Sequence, residues 1–244
     1  SQAARQPRGG AGGPLNTLIA ALRSLAFYAL FYGGSVFLVS AAVAAIVAYR
    51  PWLAPVVAKW GGWHLWCVEH VLGIEVVLDG ALPEGPVLIA VKHESFFEAI
   101  DTPRLFTHPA VFAKHELFAI PGWGYSALTY GLIPVAREKG AKTLREMLSL
   151  AKQRLDEGRP LVIFPEGTRV AHGTQPPLQA GFAGLYKLLK LPVVPIAVDS
   201  GAIYHHVFKR RGRITYKVGA KIPAGLPREE IEAQVHAAIN MLNG

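Results

Sequence analysis

The sequence predicts an α/β fold with a largely parallel central sheet flanked by helices, preceded by an N-terminal membrane-embedded two-helix element. Short apolar runs at residues 74–78, 87–91, 110–114, 132–136, 161–164, 193–198 and 214–218 are separated by turns and helical patterns. That alternation builds parallel strands with helices as crossovers. The run 87–91, Val-Leu-Ile-Ala-Val, contains no polar position, as a strand covered on both faces requires. Residues 24–49 contain no charged side chain, and as a helix they would reach about 39 Å, more than the roughly 30 Å hydrocarbon core of a bilayer.

Each part of the chain follows from its local pattern. Residues 1–14, rich in Gly and bearing Arg5 and Arg8, read as a flexible tail. Residues 15–72 read as membrane-associated helices. The uncharged stretch is too long for the apolar part of a signal peptide, and more apolar and aromatic sequence follows it, so it is expected to be retained. Residues 52–72 carry Trp52, Trp60, Trp63 and Trp66 among Lys59, His64, Glu69 and His70, the composition of an interfacial helix. Two helices dipping into one leaflet are therefore expected rather than a simple span, the competing reading being a single anchor whose following helix packs on the domain. Arg5, Arg8 and Arg23 lie before the uncharged stretch and Arg50 and Lys59 after it, so flanking charge does not set its orientation.

Residues 73–244 read as the α/β domain. Asp79-Gly80 and Pro83-Glu84-Gly85-Pro86 supply turns between the first two strands. Residues 141–156 place Leu144, Met147, Leu148, Ala151 and Leu155 on one helical stripe that stops before Gly158, and residues 181–190 and 229–242 repeat the helical pattern.

Composition narrows the partners. A formal charge of +8 with only 17% charged residues suits an anionic membrane surface better than nucleic acid, whose binders carry more Lys and Arg. The one cysteine, Cys67, excludes an internal disulfide and reads as a small buried apolar group, and no Cys/His spacing suggests zinc, so no metal is expected.

Two stretches carry the chemistry. His93-Glu94-Ser95-Phe96-Phe97-Glu98 begins just past the run 87–91, so His93 emerges at a strand's C-terminal end, where open α/β sheets bind ligands. An imidazole titrates near neutrality and can take a proton from a hydroxyl, and Glu98 behind the ring would fix its tautomer and stabilise the imidazolium. The same residues also have the Ser-x-x-Glu form of a capping box, in which Glu98 would only tie down a helix start. Phe164-Pro165-Glu166-Gly167-Thr168-Arg169 lies at a second strand end, and Arg137, after Ile133-Pro134-Val135-Ala136, at a third. Gly167 allows close backbone approach, and the two guanidiniums offer paired donors to an anion. Lys114 and Glu116 are weighted as surface residues.

With these blocks in this order, the stretch from Val87 to Val198 resembles the glycerolipid acyltransferases typified by lysophosphatidate (1-acylglycerol-3-phosphate) acyltransferase. The resemblance implies His93 and Glu98 as catalytic residues, and Arg137, Glu166, Gly167 and Arg169 as binders of the acceptor phosphate. It also implies transfer of a fatty acyl group from acyl-CoA or acyl carrier protein to the free hydroxyl of 1-acylglycerol-3-phosphate, giving phosphatidate, with no further cofactor. The site is expected on the cytoplasmic face of the inner membrane. The family has Asp where this chain has Glu98, so the longer side chain must fold back or its helix must stand further off; Asp101 is an unlikely substitute. Competing readings are another acceptor (glycerol-3-phosphate, another lysophospholipid or a lyso-aminolipid), a serine hydrolase using Ser95, and a non-catalytic membrane scaffold.

Overall fold

The computed structural model describes residues 14–135 and 141–243. Strands β1 (Ile74–Asp79), β2 (Leu88–Val91), β3 (Ala110–Lys114), β4 (Ile133–Val135), β5 (Leu161–Ile163), β6 (Val193–Val198) and β7 (Gly212–Val218) form one sheet in the order β1-β7-β6-β2-β5-β3-β4. Every adjacent pair is parallel except β6 with β7. The helices are α1 (Pro14–Ala48), α2 (Leu53–Trp66) with a π-helical continuation Cys67–Leu72, α3 (Phe97–Leu105), α4 (Trp123–Tyr130), α5 (Ala141–Asp156), α6 (Ala180–Leu189) and α7 (Arg228–Ile239).

The uninterrupted apolar run of β2 is explained by its place between β5 and β6, where all four of its residues are buried. Because side chains alternate across a strand, Val87, Ile89 and Val91 join Phe27 and Phe31 of α1 and Phe97 of α3 in one core. Leu88 and Ala90 join Ala151 of α5, Phe182 of α6 and Val235 of α7 in a second core on the other face. The result is three layers, with the N-terminal helices sharing the sheet's own core. The register pairs Ala90 with Ile163 and Val91 with Ile196, so β2, β5 and β6 deliver the residues that follow them to one edge.

Helix α1 starts at Pro14, ten residues before the uncharged stretch, and includes Arg23. Its 35 residues reach about 52 Å, and Leu15–Ala48 is long and apolar enough to cross a membrane. It pairs with α2 through two indole donors, Trp60 Nε1 to Ser35 Oγ at 2.9 Å and Trp63 Nε1 to the Leu30 carbonyl at 3.3 Å, with the Trp63 ring resting on Gly34. Helix α4 is not legible in the sequence. It spans only eight residues, opens after the left-handed Gly122 and contains Gly124, so it lacks the length that makes an apolar period visible. Of the expected tail, residues 1–13 lie outside the described residues, and Pro14 opens α1.

Candidate active site

The alternation of β2 continues past its end, so Lys92 turns toward α7 while His93 turns toward the face of α1, α2 and α3. His93 Nδ1 lies 3.0 Å from Glu98 Oε1, with the histidine side chain 16% exposed and the carboxylate buried. The extra methylene of Glu98 is absorbed by folding back over the start of its own helix. There Oε1 also accepts the backbone N–H groups of Glu94 at 2.6 Å and Ser95 at 2.7 Å, and Oε2 accepts the hydroxyls of Ser200 at 2.7 Å and Ser95 at 3.1 Å. Burial pushes the Glu98 carboxyl up, but the bond and charge of His93, the Ser95 amide and the Ser200 hydroxyl together hold it below the ordinary range. An ionised carboxylate only accepts, so the proton sits on His93 Nδ1 and Nε2 is left to receive one.

One carboxylate therefore both ties down the helix start and contacts the imidazole. Ser95 Oγ accepts the Phe97 N–H at 3.1 Å and lies 2.7 Å from Ser200 Oγ, buried within this network. That placement removes it as a nucleophile. Asp101 is held by both Nε and Nη2 of Arg104, at 2.6 and 2.7 Å, and does not reach the imidazole.

The second block meets the first because β5 is the neighbour of β2. The Phe164 ring stacks on His93 at 4.3 Å between centroids, and the Val170 N–H donates to the His93 carbonyl at 2.8 Å. Gly167, at φ +66°, closes the turn with its N–H 2.9 Å from the Phe164 carbonyl, a conformation that a side chain would strain. Arg169 is exposed and stands over the Phe96 ring, with Cζ 3.9 Å from the centroid; Phe96 and Gly167 line the same cavity as His93.

Glu166 differs from its expected role as an acceptor binder. It is buried, with Oε1 2.6 Å from Lys92 Nζ and Oε2 accepting the His93 N–H at 2.9 Å. Lys92 also donates to Asn240 Oδ1 at 2.7 Å and the Thr174 carbonyl at 3.0 Å. Both oxygens of Glu166 are committed to the protein, so it braces the backbone of His93 and presents nothing to an acceptor. Arg137 lies outside the described residues. Lys114 reaches the cavity rim while pairing with Glu116 at 3.4 Å.

Sequence reasoning missed Ser200 and Lys92. Ser200 follows β6, so the rule that chemistry gathers at C-terminal strand ends could have found it. It also missed Glu94, whose buried carboxylate lies 3.1 Å from His172 Nδ1 and accepts the Gly201 N–H at 2.8 Å. Burial pushes the Glu94 carboxyl up, and the Gly201 amide and His172 offset only part of that.

His93 opens onto a cavity of about 690 Å³, within the ~300–1,000 Å³ typical of ligand pockets. Its walls are apolar: Leu38 and Ala42 of α1, Trp60 of α2, Ala127 and Tyr130 of α4, and Met147 of α5. The imidazole, backed by a buried carboxylate, thus lines a cavity whose walls are mostly apolar. Residues 73–199 match the acyltransferase family model, and the chain belongs to the acyltransferase family.

Among relatives, a 1-acyl-sn-glycerol-3-phosphate acyltransferase of Pseudomonas aeruginosa is 29% identical over 188 residues, covering 75% of this chain and 73% of that protein. One of Helicobacter pylori is 31% identical over 157 residues, covering 61% and 65%. The crystal structure of a 1-acyl-sn-glycerophosphate (LPA) acyltransferase, PlsC, from Thermotoga maritima superposes with a TM-score of 0.68 over 94% of this chain and 97% of that one. At 19% identity that likeness shows a shared fold.

Proposed function

We propose that this chain is an O-acyltransferase that moves a fatty acyl group from acyl-CoA or acyl carrier protein to the free hydroxyl of 1-acylglycerol-3-phosphate, giving phosphatidate. The observation that carries the reading is that His93, paired with the buried Glu98, lines the apolar cavity. In this mechanism His93 Nε2 takes the proton of the acceptor hydroxyl as its oxygen attacks the thioester carbonyl. The tetrahedral intermediate then collapses, the C–S bond breaks, and the imidazolium returns the proton to the departing thiolate. The Glu98 carboxylate stabilises the imidazolium between these steps. General-base assistance of this sort is worth about 10²- to 10⁴-fold in rate. The apolar cavity takes the acyl chain and keeps water from competing for the thioester.

Arg169, with Arg137, binds the acceptor phosphate, and Gly167 lets the backbone approach it. Helices α1 and α2 hold the site at the cytoplasmic face of the inner membrane, where the lysolipid resides. The net charge of +8 favours an acidic donor of either kind. The test is a mass-spectrometric assay crossing several lysolipids and glycerol-3-phosphate with acyl-CoA and acyl carrier protein donors. Phosphatidate formed by wild type and lost in His93→Ala is the expected result. Activity confined to acceptors lacking phosphate would overturn the assignment of the acceptor.

A further inference from the structure

The loop between β6 and β7 carries groups that acyl transfer leaves unused. At its tip Val207 and Phe208 are 72% and 47% exposed, with His205, His206, Arg210 and Arg211 exposed around them. The loop is fastened to α1: the Lys209 N–H donates to Ser24 Oγ at 2.8 Å and the Tyr28 hydroxyl to the Val207 carbonyl at 2.6 Å. Lys209 itself is buried, donating to the Tyr204 carbonyl at 2.9 Å with its ammonium 3.9 Å from the Tyr204 ring centroid. It is a tether, which leaves Arg210 and Arg211 as the outward cations.

The attachment point fixes the depth of this tip. Ser24 begins the uncharged stretch of α1, and Arg23, one residue earlier, is the charge that borders it. Arg23 lies within Leu15–Ala48, the part of α1 long and apolar enough to cross a membrane, and a guanidinium there extends its long side chain to the headgroups, as the hydroxyl end of a tyrosine does. The tip docked against Ser24 and Tyr28 therefore lies at headgroup level.

Two guanidiniums converge at that level over Gly73, which caps the π-helical turn in a left-handed conformation. Arg211 Nε and Arg23 Nη1 lie 2.9 and 3.3 Å from where a Cβ on Gly73 would stand. The carbonyl end of the turn offsets part of their repulsion. Arg23 Nη1 is nevertheless buried without a hydrogen-bond partner among the described residues. Arg213, by contrast, is committed to Glu75 at 2.9 Å. Two guanidiniums side by side, with that of Arg211 exposed, match an anion that offers several oxygens, and a phosphate group does so.

We propose that Arg23, Arg211 and the apolar tip Val207–Phe208 form a binding site for the headgroup phosphate of an anionic phospholipid, separate from the acceptor site at His93. The lipid's phosphate meets the guanidiniums while its acyl chains cover the tip. The site rests on α1 lying in the membrane and is independent of the acyl-transfer chemistry.

The test uses the full chain carrying Val207→Cys labelled with an environment-sensitive fluorophore; Cys67 is buried and stays unlabelled. The labelled protein is reconstituted into vesicles of phosphatidylcholine alone or with phosphatidylglycerol. The emission should shift to the blue, and be quenched by shallow spin-labelled lipid, when phosphatidylglycerol is present. A label at Glu229→Cys, on the exposed start of α7, should not respond. Arg23→Gln and Arg211→Gln should each abolish the shift; Arg211 is on an exposed loop, so it is the deciding variant if Arg23→Gln unfolds. An equal shift in both vesicle types, a shift that survives Arg211→Gln, or a response to added acyl carrier protein instead of lipid would overturn the proposal. Because the readout is fluorescence, failure here is distinguishable from failure of the acyl-transfer reading.

Discussion

Replacing Glu98 by Gln separates charge from architecture at the active site. The carboxylate accepts from five donors: three N–H groups converge on Oε1 and two hydroxyls on Oε2. Backbone N–H groups cannot become acceptors, but hydroxyls can rotate to do so. The introduced side-chain amide therefore keeps its oxygen toward Glu94, Ser95 and His93 and turns its NH₂ toward the hydroxyls of Ser95 and Ser200. The helix start survives, while the negative charge that stabilises an imidazolium 3.0 Å away is gone. The expected outcome is a loss in kcat of about 10²- to 10⁴-fold, the worth of general-base assistance, with KM little changed.

Folding should respond in a pH-dependent way. The wild-type carboxyl is held below its ordinary range, so its contribution to stability is complete above the unfolded carboxylate pKa and is lost as pH falls through the lower folded value. Glu98→Gln should be modestly less stable at neutral pH and converge with wild type in acid. Steady-state acyl transfer and thermal unfolding across pH measure both effects. A variant that folds and turns over within about threefold of wild type would refute the reasoning, because the general-base effect is at least about 10²-fold.

Ser200→Ala removes the 2.7 Å donor to Glu98 Oε2; kcat should fall with KM steady, and thermal unfolding should show a loss of about 1.5–3 kcal/mol, the worth of a hydrogen bond to a charged group. Glu98→Asp withdraws the carboxylate by about 1.5 Å, stretching the Ser200 contact beyond hydrogen-bond range, so its kcat should fall although its charge is retained. Lys92→Met should destabilise by about 3–5 kcal/mol, because it leaves Glu166 charged, buried and unpaired; adding Glu166→Gln should recover part of that loss in thermal unfolding. Ala127→Phe places a ring in the cavity wall beside Tyr130, and a competition assay with acyl donors of graded length should show preference moving to shorter chains.

Much of this arrangement is readable in the chain because local pattern and function coincide. The apolar run 87–91, short and preceded by the turn residues 83–86, reads as a strand covered on both sides, and a histidine two residues past it then reaches the strand's end. The spacing of His93 and Glu98 is likewise local, since the bend over residues 94–96 returns Glu98, in the first turn of α3, to the imidazole. What escaped the sequence depends on strands that are distant along the chain. Ser200 joins Glu98 across 102 residues because β6 lies beside β2, and Lys92 joins Glu166 across 74 because β5 does. Without the strand order, Glu166 reads as part of an anion pocket, when its carboxylate instead neutralises a buried lysine. Helix α4 escaped for a different reason, since its fold depends on packing against α1 and the turn before it more than on any period of its own.

The most direct test is the rate of the acyl-transfer step itself, followed by rapid quench at saturating acyl-CoA and lysophosphatidate for wild type and His93→Ala bound to the same vesicles. A loss of at least about 10²-fold in that step, with vesicle binding unchanged, is the predicted result. Equal rates in the two proteins would contradict the assignment of His93 as the base.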